Sequence, residues 1–168
     1  IGFQIEENLL QNESEYFPAV IMVIDAVSYS KHMEVNPGAT LHAIQSAEKF
    51  VEDAITNNGG NVFNKAGDSL LLIFEDPVAA LKLAIEFQSH IVTANSSDQH
   101  KICLEFRVGI NIGEVTRSGK DYLGDGVNIA ARLETLSQPS GICVSKSFYD
   151  QTSSHSDFEF ESLGTQKI

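Results

Sequence analysis

Residues 61–74, NVFNKAGDSLLLIF, decide how this chain folds. Ser69 to Phe74 is an almost continuous apolar run, and Asn61 to Asn64 leads into it through Lys65-Ala66-Gly67-Asp68. A short segment containing glycine and aspartate between two extended runs reads as a tight turn joining antiparallel strands, so the stretch predicts a β-hairpin. Asp68 then sits at a strand tip.

Upstream of the hairpin, Ala19–Asp25 reads as a short buried strand. Pro37 and Gly38 approach a helix whose apolar stripe is Ile44, Ala47, Val51, Ala54 and Ile55, stopped by Asn57-Asn58-Gly59-Gly60. Residues 1–16 are polar and acidic apart from Leu9-Leu10, with a weak helical pattern through Phe3, Ile5 and Leu9; they read as a linker or the tail of an upstream module. Downstream, Pro77 opens a second helix to about Thr93, with Ala80, Ala84, Phe87 and Ile91 on one face. A loop over 94–100 follows. Leu104, Phe106, Val108, Ile110 and Ile112 then alternate with Glu105, Arg107, Gly109, Asn111 and Gly113, a half-buried strand reaching toward Val115. Ser118-Gly119 turns the chain, and NIAAR (128–132) reads as helical. The loop 137–141, a strand Ile142–Val144, a helix from Ser145 to Thr152 and a last strand from Phe158 to Phe160 complete the chain. This β-α-β-β-α-β order with elements after it predicts an α+β fold: a ferredoxin-like core, its sheet mostly antiparallel, with helices on one face and a C-terminal extension.

A chain of 168 residues with 42% hydrophobic content supports one domain, assigned to 17–168. The net charge of -12 argues against nucleic acid or an acidic membrane surface as partner. No run approaches 18 apolar residues, so this stretch predicts no membrane span and no direct membrane contact. Cys103 and Cys143 read as small buried hydrophobes of a reducing compartment. The five histidines lack metal-site spacing, the P-loop pattern is absent, and so is the Gly-x-Ser-x-Gly elbow.

The chemistry-bearing residues lie elsewhere. Asp25 closes the run AVIMVID, and the small residues Ala26-Val27-Ser28 after it are suited to present backbone N–H groups to an anion. Two carboxylates on neighbouring strand tips, Asp25 and Asp68, make a hard, oxygen-rich site of the kind that suits Mg²⁺ or Mn²⁺ with phosphate oxygens. Asn128 and Arg132, four residues apart, share one face of their helix.

In order, VIMVIDAVSYS, GGNVFNKAGDSLLLIF, FRVGINIGEV, DYLGDGVNIAARLE, GICVS and FESLGTQKI resemble the successive motifs of the class III nucleotide cyclase catalytic domain, the adenylate/guanylate cyclase family, from about residue 18 to the end. The resemblance implies a head-to-tail homodimer with active sites at the interface. One subunit supplies the metal-binding aspartates and the other the base-reading and transition-state residues. It implies Asp25 and Asp68 as ligands of two Mg²⁺ or Mn²⁺ ions per site, with the Ala26 carbonyl a further ligand. Asp121 takes the position that reads the adenine edge, and Asn128 and Arg132 those that position the ribose and stabilise the reacting phosphate.

Three positions depart from the family pattern. Asn64 stands where adenylate cyclases have lysine and guanylate cyclases glutamate, and an asparagine amide presents both donor and acceptor. Ser28 stands where the family has glycine, the residue that reaches left-handed angles cheaply. The family's triphosphate-binding lysine falls just past Ile168, so the domain is read as lacking its C-terminal end.

The expected activity is that of an adenylate cyclase, converting ATP to 3',5'-cyclic AMP and pyrophosphate by two-metal in-line attack of the ribose 3'-hydroxyl on the α-phosphate. The alternatives are a guanylate cyclase, or a catalytically silent cyclase-like module for dimerisation or nucleotide sensing. A start at Ile1 reads as a piece of a longer protein or as a chain whose disordered start lies outside the numbering; an upstream sensor or regulatory domain is expected, with a cytoplasmic location and room for a membrane anchor outside this stretch.

Overall fold

The computed structural model describes residues 15–97, 102–155 and 157–167. Of residues 1–16, read as a linker or the tail of an upstream module, 1–14 lie outside the described residues, and Tyr16 begins the first strand.

Strand β1 (Tyr16–Ala26) is the centre of the sheet, longer at both ends than the apolar run that announces it. The hairpin strands are β2 (Gly60–Ala66) and β3 (Ser69–Phe74), and β4 spans Phe106–Ser118. Antiparallel pairing gives the order β2-β3-β1-β4-β5, where β5 is Asp121–Leu123. The short β6 (Ile142–Val144) pairs with β4 in parallel. With the helices added, β1 to β4 are the ferredoxin-like core, and the elements after β4 extend it.

The core helices pack on one face. There α2 (Pro37–Ile55) and α3 (Pro77–Ser97) cover Val20, Met22, Ile24, Leu72, Val108 and Ile110. Asn36 caps α2 by accepting from the Ala39 N–H (3.1 Å), and Pro37 fixes its first turn. Phe87 is fully buried and meets Phe106 edge to face at 5.3 Å.

The other face is not left open. Ala19, Ile21, Val23, Phe63, Ile73 and Val115 form a second cluster beneath α4 (Asp125–Leu136), so helices lie on both sides of the sheet rather than on one. The reason is in β4. A methyl group on Gly109 would come within 2.2 Å of the Glu134 nitrogen and 2.3 Å of the Ala130 oxygen, so the helix backbone rests directly on the strand backbone. Asn111, buried on the same face, donates through Nδ2 to the Gly126 carbonyl at 3.1 Å. The polar half of the alternation at 105–113 is therefore a docking strip for α4, and mid-strand β4 is buried on both sides.

Four other expectations change. A seven-residue helix, α1 (Tyr29–Val35), follows β1; none of its residues is buried, so it leaves no apolar period in the sequence. Helix α3 continues to Ser97 instead of ending near Thr93. Ser96 and Ser97 turn their hydroxyls back to the Val92 and Thr93 carbonyls one turn earlier, and Asn95 brackets the Leu104 backbone through both ends of its amide. Cys143 is buried, with burial raising its thiol pKa, but Cys103 is exposed ahead of β4. Residues 157–167 form no strand; Phe158 and Phe160 anchor them to the core as rings, Phe160 against Tyr149 at 5.2 Å, without a ladder partner. The helix α5 (Lys146–Thr152) is capped by Ser145 as its sequence indicates, accepting from Phe148 N–H at 3.2 Å.

Candidate active site

The two-residue turn Gly67-Asp68 joins β2 to β3, and only its first residue has positive φ, 66°, the pattern of a type II′ hairpin turn and the reason glycine stands there. The turn lifts Asp68 beside the end of β1, where Asp25 is the first residue after the buried run. The Ser69 hydroxyl donates to Asp25 Oδ1 across these segments, and the Ala26 N–H lies near the Asp68 carboxylate. Burial first, and then the charge of Asp25, raise the pKa of Asp68, while the N–H groups of Asp68 itself and of Ala26 pull it back.

On the far side of Asp25, the β1–β4 register sets Arg107 directly opposite. Its Nε is buried and has no hydrogen-bond partner among the described residues. Glu134, buried on α4, completes the surroundings. Burial and the nearby charges of Asp25 and Asp68 raise its pKa, and Arg107 opposes that. Arg107, Ser69 and Glu134 are the residues that sequence reasoning missed. Arg107 looks like the outward member of an alternating strand until its register with Asp25 is known. Glu134 looks like a helix-surface residue until Gly109 and Gly113 are read as the floor for a helix.

The small-residue segment after Asp25 differs from its expected role. The Val27 N–H donates to the Glu105 carbonyl at 2.8 Å, so it is not left for an anion. Ser28 adopts the left-handed conformation, φ 57° and ψ 34°, ahead of α1, and its hydroxyl makes no cap hydrogen bond. Its backbone follows the path a glycine would take, and as a non-glycine residue it carries the strain of that path.

A second pair forms at the other end of the sheet. Strands β2 and β5 stand at opposite ends of the strand order, yet the sheet coils until they touch, with Phe63 against Tyr122 edge to face at 5.1 Å. A bulge at Phe63 shifts the β2 register just there. Asn64 Nδ2 consequently donates to Asp121 Oδ1 at 3.1 Å, across 57 residues of sequence. The third group, Asn128 and Arg132, lies exposed on α4, whose buried residues are Gly126, Ala130, Leu133 and Glu134. Glu134 faces the carboxylate pair. Arg132, two residues earlier and so about 200° around the helix, faces away from it.

As a cation site the donor set fits a hard divalent ion. Asp25, Asp68 and a strand-end carbonyl offer only oxygen, and the mutual repulsion of close carboxylates is what a cation relieves. No cluster of three or more His, Cys, Asp or Glu able to hold a metal exists among the described residues.

The sequence profile of the adenylate and guanylate cyclase catalytic domain matches residues 13–168. The chain belongs to that family. A putative adenylate cyclase 3 of Rhizobium meliloti is 32% identical over 152 residues, covering 89% of this chain. The chain spans 26% of that relative's length. Among solved structures, an adenylate/guanylate cyclase/hydrolase from Silicibacter pomeroyi superposes with a TM-score of 0.83 at 34% identity, covering 92% of this chain and 90% of that one. A Trypanosoma brucei adenylate cyclase, solved in its monomeric state, shares the fold at TM-score 0.78 and 19% identity, covering 89% of this chain and 83% of its own. Among the described residues of this cyclase domain, no helix is long and apolar enough to cross a membrane.

Proposed function

We propose that this domain is an adenylate cyclase that works as a head-to-tail homodimer, each active site combining Asp25 and Asp68 of one subunit with Asn64, Asp121, Asn128 and Arg132 of the other. The observation that carries the reading is the Asp25–Asp68 pair, with Asp25 held by the Ser69 hydroxyl of the hairpin although the charge of Asp25 makes Asp68 harder to ionise. A pair held against its own repulsion has a use for a cation. Composite sites are supported by α4, which turns Glu134 toward its own carboxylates and Asn128 and Arg132 away from them.

In this reaction the ribose 3'-oxygen bonds to the α-phosphorus, the bridge to the β-phosphate breaks, and pyrophosphate leaves with the electron pair. Divalent ions, when bound, neutralise the triphosphate and make the 3'-hydroxyl more acidic. Asp25, Asp68 and the Ala26 carbonyl are the groups that would hold them. Arg132 meets charge that builds on the phosphoryl oxygens in the transition state, Arg107 adds a positive charge beside Asp25, and Asn128 orients the ribose. No protein side chain is assigned as general base; the 3'-hydroxyl proton passes to water or to a phosphate oxygen.

Asp121 accepts from the adenine amino group, whereas guanine would turn a carbonyl toward the same carboxylate. That mismatch is worth about 1–3 kcal/mol, roughly tenfold to a hundredfold in favour of ATP. Asn64, already donating to Asp121, orients that carboxylate and discriminates less than a lysine would. An ATP-consuming domain of this kind belongs in the cytosol, under an upstream regulatory module.

The test is incubation with Mn²⁺ and either ATP or GTP, followed by separation of products. Cyclic AMP and pyrophosphate in equal amounts from ATP, with a lower kcat/KM for GTP, are expected. No cyclic product from either nucleotide would favour the silent-module reading, and a preference for GTP would overturn the base assignment.

A further inference from the structure

We infer that Ser69 is a positioning residue for the divalent cation, acting through Asp25; this rests on the metal role proposed for Asp25 and Asp68. Three neighbouring strands bring Ser69, Asp25 and Arg107 side by side. Arg107 pairs with Asp25 in the β1–β4 register, and Ser69 lies one step beyond the last β1–β3 pair, Ile24 with Leu70. The Ser69 hydroxyl donates to Asp25 Oδ1, and no other side chain among the described residues donates to that carboxylate.

The hairpin gives its Ser69 hydroxyl to Asp25, while the Ala26 N–H at the β1 end lies near Asp68. Asp68 and Ser69 are consecutive residues. One turn therefore delivers a candidate metal ligand and the orienting group of its counterpart, and the rigid geometry of the Gly67-Asp68 turn sets both together. Two adjacent anions without such ties would rotate apart. Fixing Oδ1 by a neutral donor leaves Oδ2 and the second lone pair of Oδ1 for a cation, with the carboxylate plane set before the ion arrives. Asp25, at the end of a straight strand, is held by a side chain reaching from the next strand.

The consequence is a defect in cation binding, measured on the full chain with Mn²⁺ alone by the loss of the free-ion paramagnetic resonance signal. Ser69→Ala should weaken Mn²⁺ binding by about tenfold, the scale of losing a group that orients a metal ligand. Ser69→Thr, which keeps the hydroxyl, should bind within about twofold of the native protein, while Ser69→Cys, close in size but a weak donor, should follow alanine. In turnover the loss should appear mainly as a higher half-saturating Mn²⁺ concentration rather than a lower kcat at saturating metal. Circular dichroism identifies any variant that fails to fold, and the cysteine variant then stands in for alanine. Native-like Mn²⁺ binding in folded Ser69→Ala or Ser69→Cys, with binding abolished in Asp25→Asn, would overturn the role of Ser69 and leave the metal site standing. Equal Mn²⁺ binding by native protein and Asp25→Asn would overturn the metal site and this inference with it.

Discussion

At the scale of single residues, the candidate site is strained in two separable ways. Ser28 sits at φ 57°, where a side chain costs about 1–2 kcal/mol relative to right-handed backbone. Replacing it by glycine relieves that strain but loosens the unfolded chain, so Ser28→Gly should stabilise by only about 0.5 kcal/mol, whereas the β-branched Ser28→Val should destabilise by about 1–2 kcal/mol. Urea denaturation checks the order glycine, serine, valine. Asp68 carries the second strain, an electrostatic one. Its folded pKa lies above the ordinary 3.8 because of burial and then Asp25, so its contribution to stability is fully present below that ordinary value and is lost as pH rises through the elevated folded one. In EDTA at neutral pH, Asp68→Asn should therefore have a higher Tm than the native protein, by an amount that shrinks toward pH 4. Added Mn²⁺ should raise the native Tm and leave the variant's unchanged. Turnover in the variant should fall by at least about a hundredfold. An unchanged metal-free Tm would mean that the carboxylate pair is not strained.

At the scale of elements, what could be read from the sequence followed from patterns that one segment carries alone. The hairpin, the stripe of α2, the cap of α5 and the alternation of β4 are all local, and each appears where the residues indicate. Asp25 and Asp68 could be paired in advance because a hairpin tip and a strand end are simple positions. The unread features depend on what a second element does. The coil that brings β2 to β5, and so Asn64 to Asp121, was not legible in the spacing; the family resemblance alone linked those residues. Arg107 acquired meaning only through its register with Asp25, and α4 on the second face only through the glycines of β4. Gly109 makes this testable. A methyl group there meets the helix backbone at 2.2 Å and 2.3 Å, contacts that only a shift of the whole helix relieves. Gly109→Ala should cost about 2–3 kcal/mol and displace the helix that carries Asn128 and Arg132. The drop in kcat should exceed any change in Mn²⁺ binding, because Asp25 and Asp68 are held by β1 and the hairpin. Native stability in Gly109→Ala would show that α4 is not seated as described.

At the scale of the molecule, one chain presents two groups of candidate residues that point apart, the carboxylates at the β1 end and the hairpin tip, and Asn128 with Arg132 on the outer side of α4. If every active site draws one half from each subunit, defects in different halves must complement. Asp68→Ala and Arg132→Ala proteins, each inactive alone, should recover activity on mixing. With equal amounts and random exchange, half of the dimers are mixed and one of their two sites is intact, so the recovered rate should be about a quarter of native. Two variants in the same half, Asp25→Ala with Asp68→Ala, should recover nothing, which separates composite sites from any general stabilisation by a second chain. The charge of -12 on each subunit works against association. Recovery should therefore rise with protein concentration, and with moderate salt as like-charge repulsion is screened, before higher salt weakens nucleotide binding. Native mass spectrometry of isotope-labelled and unlabelled chains measures mixed dimers independently of activity. Mixed dimers present without recovered turnover would place each active site within one subunit, and would require Arg132 to reach Asp68 around a helix that holds it on the opposite side.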